Sequence, residues 1–263
     1  MRALVTGGSS GIGLAFARTL AEHGASLVLV ARDAAKLNGV AAQLRAGYDV
    51  DVETIAADLA SPEAVAMVAA RLDEDGAPID VLVNNAGIAL HASLLDPDWG
   101  VQEQAMAIMV TATWKLSNAA ARAMLRRDTM GHIINVASAS AWINVGNYSA
   151  IKRWVVSYTQ GLSVELAGTG VTATAVCPGW VKTAFHDRAG VRRPRLPRFI
   201  WVDADVVASE GLAAALAGRR VCVPSGKWRA AIFIAQHGPQ AIVDAVSAAM
   251  VKSRHSPNRL KET

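Results

Sequence analysis

Tyr148 and Lys152 stand four residues apart in the run Asn147-Tyr148-Ser149-Ala150-Ile151-Lys152. On a helix, residues so spaced share one face. The lysine ammonium then sits beside the phenol and favours its ionised form, lowering a pKa that is normally about 10. A phenol tuned in this way is a usable general acid/base. The spacing alone also fits a surface pair, so the surroundings of the two residues decide.

The chain opens with Arg2-Ala3-Leu4-Val5-Thr6, a short apolar strand, followed by Gly7-Gly8-Ser9-Ser10-Gly11-Ile12-Gly13 and the helical pattern Leu14, Ala15, Ala17, Leu20. Strand, glycine turn and helix in that order form a dinucleotide fingerprint. Glycines let the backbone approach a pyrophosphate, and the helix N-terminus offers free amide donors and the positive end of its dipole. A dinucleotide site and a tuned phenol together point to hydride transfer.

With both motifs in view, the chain resembles the short-chain dehydrogenase/reductase family, in its compact branch whose glycine turn reads Thr-Gly-x-x-x-Gly-x-Gly. The resemblance runs over about residues 1 to 185 and includes Asp58-Leu59, Asn84-Asn85-Ala86-Gly87, Ser138 at the end of Ile133-Ile134-Asn135-Val136-Ala137-Ser138, and Pro178-Gly179-Trp180-Val181-Lys182-Thr183. It implies a proton donor at Tyr148, a lysine at 152 that also holds the nicotinamide ribose, and a serine at 138 that hydrogen-bonds the substrate oxygen. Cofactor contacts are implied at Thr6, Gly7, Ser9, Ser10, Gly11, Ile12, Gly13, Asp58, Leu59, Asn85, Ala86, Gly87, Pro178, Gly179, Val181 and Thr183.

Cofactor choice turns on the end of the second strand, Leu27-Val28-Leu29-Val30-Ala31-Arg32-Asp33. An acid there would grip the ribose hydroxyls, and an arginine would accept a 2′-phosphate. The family's selecting acid would stand at Ala31, and Arg32 stands beside the gap, which favours NADP(H). Asp33 lies 20 residues beyond Gly13, where the general fingerprint expects an acid, so NAD(H) stays the alternative. Asp33 is read as the N-cap of the following helix.

These residues need a scaffold, and the chain supplies alternating strand and helix patterns. Strands are predicted near 2–6, 27–31, 51–56, 80–84, 132–137, 171–176 and 219–223, and helices near 12–23, 34–46, 62–74, 99–126, 148–167 and 204–217. The expected fold is α/β: a single Rossmann-like, doubly wound parallel sheet of about seven strands with helices on both faces. Ser61-Pro62-Glu63 reads as an N-cap followed by proline at the first helical position. At 263 residues, 52% of them apolar and without internal repeats, one domain over 1–263 is expected. It would carry a substrate lid near 183–203 and a C-terminal helical extension near 226–254.

Two features depart from the family pattern. Alignment through Val110-Thr111-Ala112 puts Met109 where the family has an asparagine that supports a water in a proton path, and methionine cannot replace that amide. Ser138 and Tyr148 are only 10 residues apart, a short interval for this family, which makes Ser140 a second candidate for the serine role. The expected function is a hydride transfer between NADP(H) and the carbonyl or alcohol carbon of a hydrophobic ketone or secondary alcohol. A catalytically weak NADP(H)-binding regulator or scaffold is the alternative.

Trp142, Trp180, Phe185, His186 and Trp201 are candidates for the substrate mouth. The arginines from Arg192 to Arg198 read as a solvated basic face, with an anionic substrate the alternative. From Lys227 onward, Trp228, Ile232, Phe233 and Ile234, then Ile242, Val243, Val246 and Met250, outline two amphipathic helices that pack on the domain or on a partner subunit. Cys177 and Cys222 are read as buried thiols, and the histidines show no metal spacing. The net charge of +4 is spread along the chain and calls for no nucleic acid. A chain that starts in a strand, without a basic and apolar leader, is expected in the cytoplasm. Membrane contact is not expected. By resemblance to the family, the helices near 99–126 and 148–167 would pair subunits into a homodimer or homotetramer.

Overall fold

Seven strands, β1 (Arg2–Thr6), β2 (Ser26–Ala31), β3 (Val52–Ala56), β4 (Val81–Asn84), β5 (Gly131–Val136), β6 (Val171–Val176) and β7 (Val221–Cys222), lie side by side in the computed structural model. The structure describes residues 1–90, 92–182 and 197–254. The order is β3-β2-β1-β4-β5-β6-β7, and every pairing is parallel. Parallel strands are buried on both faces, which is why they read as near-continuous apolar runs. Alternate residues feed opposite layers. Val5, Leu27 and Leu29 pack on one side with Phe16, Leu37 and Leu212, while Leu4, Val28 and Val30 pack on the other with Val68, Leu116 and Met124.

The covering helices are α1 (Gly11–Glu22), α2 (Ala34–Tyr48), α3 (Pro62–Asp73), α4 (Gly100–Met106), α5 (Thr113–Arg126), α6 (Gly146–Glu165), α7 (Ala204–Leu216), α8 (Gly226–His237) and α9 (Gln240–Arg254). Local chemistry sets their starts. Asp33 caps α2 by accepting from the Lys36 N–H at 2.9 Å, and Ser61 caps α3 by accepting from the Ala64 N–H at 3.3 Å, with Pro62 as the first residue. Among the described residues, no helix is long and apolar enough to cross a membrane.

The predicted single helix over 99–126 is corrected to three pieces, because residues Ala107–Ala112 form a π-helical turn between α4 and α5. A π turn inserts an extra residue into the helical ladder and turns the side chains beyond it, a local distortion frequent at functional sites. An averaged 3.6-residue period does not reveal it. The chain runs outward from β1 to β3 and then crosses back to β4, so the loops after β1 and β4 diverge and leave a crevice at the C-terminal edge.

Candidate active site

Thr6, at the end of β1, ties the two sides of that crevice together. Its hydroxyl donates to the Val83 carbonyl at 3.3 Å and accepts from the backbone N–H groups of Asn85 at 2.9 Å and Ala86 at 3.0 Å. The Asn85 amide in turn donates to the Thr6 carbonyl at 3.0 Å. Gly13 packs behind the turn, where a Cβ would lie 2.3 Å from the Gly7 carbonyl oxygen. Thr6 and Gly13, expected among the cofactor contacts, therefore stand behind the cavity wall and shape it. The reason is steric: Thr6 is sealed under the turn that it holds.

The crevice opens into one cavity of about 940 Å³. Gly7, Ser9, Ser10, Gly11 and Ile12 line its floor at the start of α1, where Gly7 and Gly11 both take positive φ (+67° and +58°), a conformation glycine adopts without strain. Asp58 and Leu59 line it after β3, Asn85, Ala86 and Gly87 after β4, and Pro178, Gly179 and Val181 after β6. Thr183, Phe185, His186 and the segment 191–196 lie outside the described residues. At the end of β2, Arg32 and Lys36 both line the rim, exposed, while the Asp33 carboxylate is occupied at the α2 cap. Lys36 was not foreseen, although its place one helical turn beyond Arg32 puts both cations at one helix start. Free amides at a helix N-terminus, a glycine-lined floor and two cations at the far rim fit a phosphorylated dinucleotide.

On the opposite wall, β5 and α6 bring Ser138, Tyr148 and Lys152 together. The Lys152 ammonium is buried, donates to the Val136 carbonyl at 2.9 Å and lies 5.7 Å from the centre of the Tyr148 ring. Burial lowers its pKa to about 8. The Ser138 hydroxyl accepts from the Ser140 N–H at 3.1 Å and from the Ser140 hydroxyl at 2.9 Å. Both serines line the cavity, so Ser140 supports Ser138.

A buried polar network holds the helix that carries Tyr148 and Lys152. Asn84 donates to Asn135 at 2.9 Å, and Asn135 donates to Thr159 of α6 at 3.0 Å. Asn84, the first residue of its motif, thus serves the frame, and Asn85 lines the cavity. Met109 falls in the π turn, is 1% exposed, lines the cavity and packs with Leu90, Ile108 and Ile151 beside Tyr148. Its sulfur would be 3.2 Å from a Cβ at Gly87, so the two residues are matched in size.

The short loop between Ser138 and Tyr148 is a 3-10 turn, Ala139–Trp142, followed by Gly146 with φ +68° at the start of α6. It is fastened by α9, whose Ser247 hydroxyl accepts from the Asn144 N–H at 2.9 Å. The roof of the cavity is apolar and comes from α8 and α9, through Trp228, Ile232, Val243, Val246 and Met250. The amphipathic pattern foresaw these helices but not that they face the site. Trp142 and Trp180 line the cavity, whereas Trp201 stands behind Trp180 in an edge contact with ring centres 5.9 Å apart. Cys177 and Cys222 are free and buried, and burial pushes both thiols up, Cys222 to about 11, so neither supplies a thiolate.

The family model described as short chain dehydrogenase matches residues 1–192. The chain belongs to this family. Galactitol 2-dehydrogenase (L-tagatose-forming) of Cereibacter sphaeroides is 39% identical over 186 residues, covering 69% of this chain and 71% of its own. Among solved structures, a short-chain dehydrogenase from Sphingobium yanoikuyae in complex with NADPH is 33% identical with a TM-score of 0.80, covering 89% of this chain and 93% of that one. The bulky-bulky ketone specific alcohol dehydrogenase from Comamonas testosteroni is 28% identical with a TM-score of 0.76, covering 91% and 93%. The protein is therefore an oxidoreductase of the short-chain dehydrogenase/reductase type, and its parallel sheet matches those structures.

Proposed function

We propose that the protein is an NADP(H)-dependent oxidoreductase that interconverts a hydrophobic ketone and its secondary alcohol. One observation carries the reading: Ser138, Tyr148 and Lys152 converge on one wall of a cavity whose other end is bordered by Arg32 and Lys36. The floor residues from Gly7 to Ile12 would hold the pyrophosphate, Arg32 and Lys36 the 2′-phosphate, and Lys152 the nicotinamide ribose. Asp58, Leu59, Asn85, Ala86, Gly87, Pro178, Gly179, Val181 and Thr183 would complete the cofactor contacts. The bound nicotinamide supplies or accepts the hydride.

The chain's own residues then manage one oxygen and one proton. Ser138 already accepts two hydrogen bonds from Ser140, which leaves its own O–H to donate to the substrate oxygen. Tyr148 protonates that oxygen during reduction and accepts its proton during oxidation. The Lys152 ammonium stabilises the phenolate left behind. The bound NADPH of the Sphingobium relative supports the cofactor, and the Comamonas enzyme supports a ketone.

The protein is read as a single domain whose substrate lid lies near 183–203, acting as a homodimer or homotetramer. Trp114 on α5 and Val164 on α6 are 48% and 57% exposed, apolar surface suited to subunit pairing. A monomer by light scattering at micromolar concentration would overturn the oligomer. The deciding experiment for the activity is a screen of hydrophobic ketones and alcohols with each oxidised or reduced nicotinamide, followed by cofactor absorbance. Cofactor binding without turnover of any compound would instead support a regulator or scaffold.

A further inference from the structure

Charge is distributed unevenly around the cavity. Among the described lining residues the charged ones are Arg32, Asp33, Lys36, Asp58 and Lys152. The first four stand beyond β2 and β3, and the Lys152 ammonium is turned to the Val136 carbonyl. The half bounded by the short loop, α8 and α9 presents no charged side chain among the described residues; its hydroxyl groups are those of Ser138, Ser140 and Tyr148, where the reaction is placed, and the indole N–H of its Trp228 is bonded to the Ile200 carbonyl.

This apolar wall is continuous from the reacting groups to the solvent. Trp142, Ile143 and Val145, on the short loop that leads to Tyr148, line the cavity, and the Asn144–Ser247 hydrogen bond ties α9 to that loop. The lip of the cavity is formed by Ile234, Ile242 and Val246, which line it and are yet 54%, 49% and 46% exposed. Apolar side chains left half in water around an opening mark a ligand groove.

Resting on the reading of the reaction above, we propose that the substrate is an uncharged ketone, or the matching secondary alcohol, with an extended apolar arm that lies between α8 and α9 and leaves by this lip. Sugars, polyols and keto acids are disfavoured, because most of their polar groups would be stripped of water against the aliphatic side chains of α8 and α9, among them Ile232, Val243 and Val246, which offer no hydrogen bond. Each methylene moved from water into the chamber improves transition-state binding, by about fourfold in kcat/KM.

The test is a series of unbranched 2-alkanones from 2-butanone to 2-decanone with NADPH, alongside a ketose and a 2-keto acid. The expected result is a kcat/KM that climbs by about fourfold per methylene until the chamber is full. Val246→Asp, a charge on a half-exposed lip position that the free protein tolerates, should cut the 2-decanone to 2-butanone ratio by about tenfold or more. Ile242→Asp repeats the test from the other part of the lip. A flat series, a ketose or keto acid as fast as 2-decanone, or an unchanged ratio in both folded variants would overturn the inference. Tryptophan fluorescence separates the two levels, since Trp142, Trp180 and Trp228 line the cavity. Saturable quenching by 2-decanone without any turnover would overturn the reaction and leave the ligand class standing. Reduction of ketoses without such quenching would do the reverse.

Discussion

The indole of Trp228 sits directly on the backbone of Gly179, where a methyl group would come within 1.9 Å of its ring. Residues of the turn after β6 and of the first turn of α8 are thereby locked face to face. Trp228 Nε1 also donates to the Ile200 carbonyl at 3.0 Å, so the ring has little room to retreat.

Gly179→Ala should therefore lower stability by about 1–3 kcal/mol through overpacking and reduce kcat/KM for lipophilic ketones, because α8 must shift. In a Trp228→Ala background the same change should cost much less. A double-mutant cycle of thermal melts measures this coupling, and equal losses in both backgrounds would show that the contact is not the cause.

Tyr148→Phe should reduce turnover by about 10²–10⁴-fold while NADPH affinity changes little, since the phenol acts on the substrate oxygen. Steady-state rates and cofactor fluorescence titration check the two halves. Near wild-type turnover would remove Tyr148 from the mechanism.

Lys152 makes stability depend on pH in a definite direction. Burial lowers its pKa from 10.5 to about 8, so between those values the unfolded chain binds the proton that the folded protein has lost. Its contribution therefore destabilises the cofactor-free protein fully below pH 8 and fades as pH rises toward 10.5, a change on the order of 3 kcal/mol. Lys152→Met should raise the melting temperature at pH 7, flatten that alkaline rise and abolish activity. Denaturant melts of both proteins from pH 7 to 10 test it, and parallel pH curves would refute it.

Arg32→Ala should weaken NADPH binding by about tenfold or more and NADH binding little, because only NADPH presents the 2′-phosphate that a charge-assisted bond can hold. Lys36→Ala should act in the same sense. Equal losses for the two cofactors, measured by titration, would show that another residue selects.

Met109→Leu should keep turnover within about twofold, because the site asks for apolar volume beside Ile108 and Ile151. Met109→Asn should lower stability by about 1–3 kcal/mol by burying an amide, yet hold or raise turnover per folded molecule if the amide captures a water near Lys152. A large loss of turnover with the fold intact would assign the thioether to the substrate wall instead.

The frame of the site was legible in the sequence because its determinants are local. The strands from Arg2–Thr6 to Val171–Val176 follow, to within a residue at each end, from short apolar runs, and the caps at Asp33 and Ser61 follow from side chains that reach backbone amides three residues away. Glycines at 7 and 11 announce a turn that needs positive φ. Tyr148 and Lys152 announce a shared helix face through their spacing. What only the tertiary structure decided depends on partners distant in the chain. The Trp228 ring meets Gly179, 49 residues earlier, and Ser247 meets Asn144, 103 residues earlier. Periodicity shows that α8 and α9 each have an apolar stripe, but it carries no information about which surface the stripe will cover, since burial against any apolar wall is similarly favourable. The π turn that turns Met109 inward is likewise invisible to an averaged period, as is the sealing of Thr6 beneath the turn it holds. Packing of the C-terminal helices over the strand ends turned a generic dinucleotide crevice into a chamber with an apolar roof.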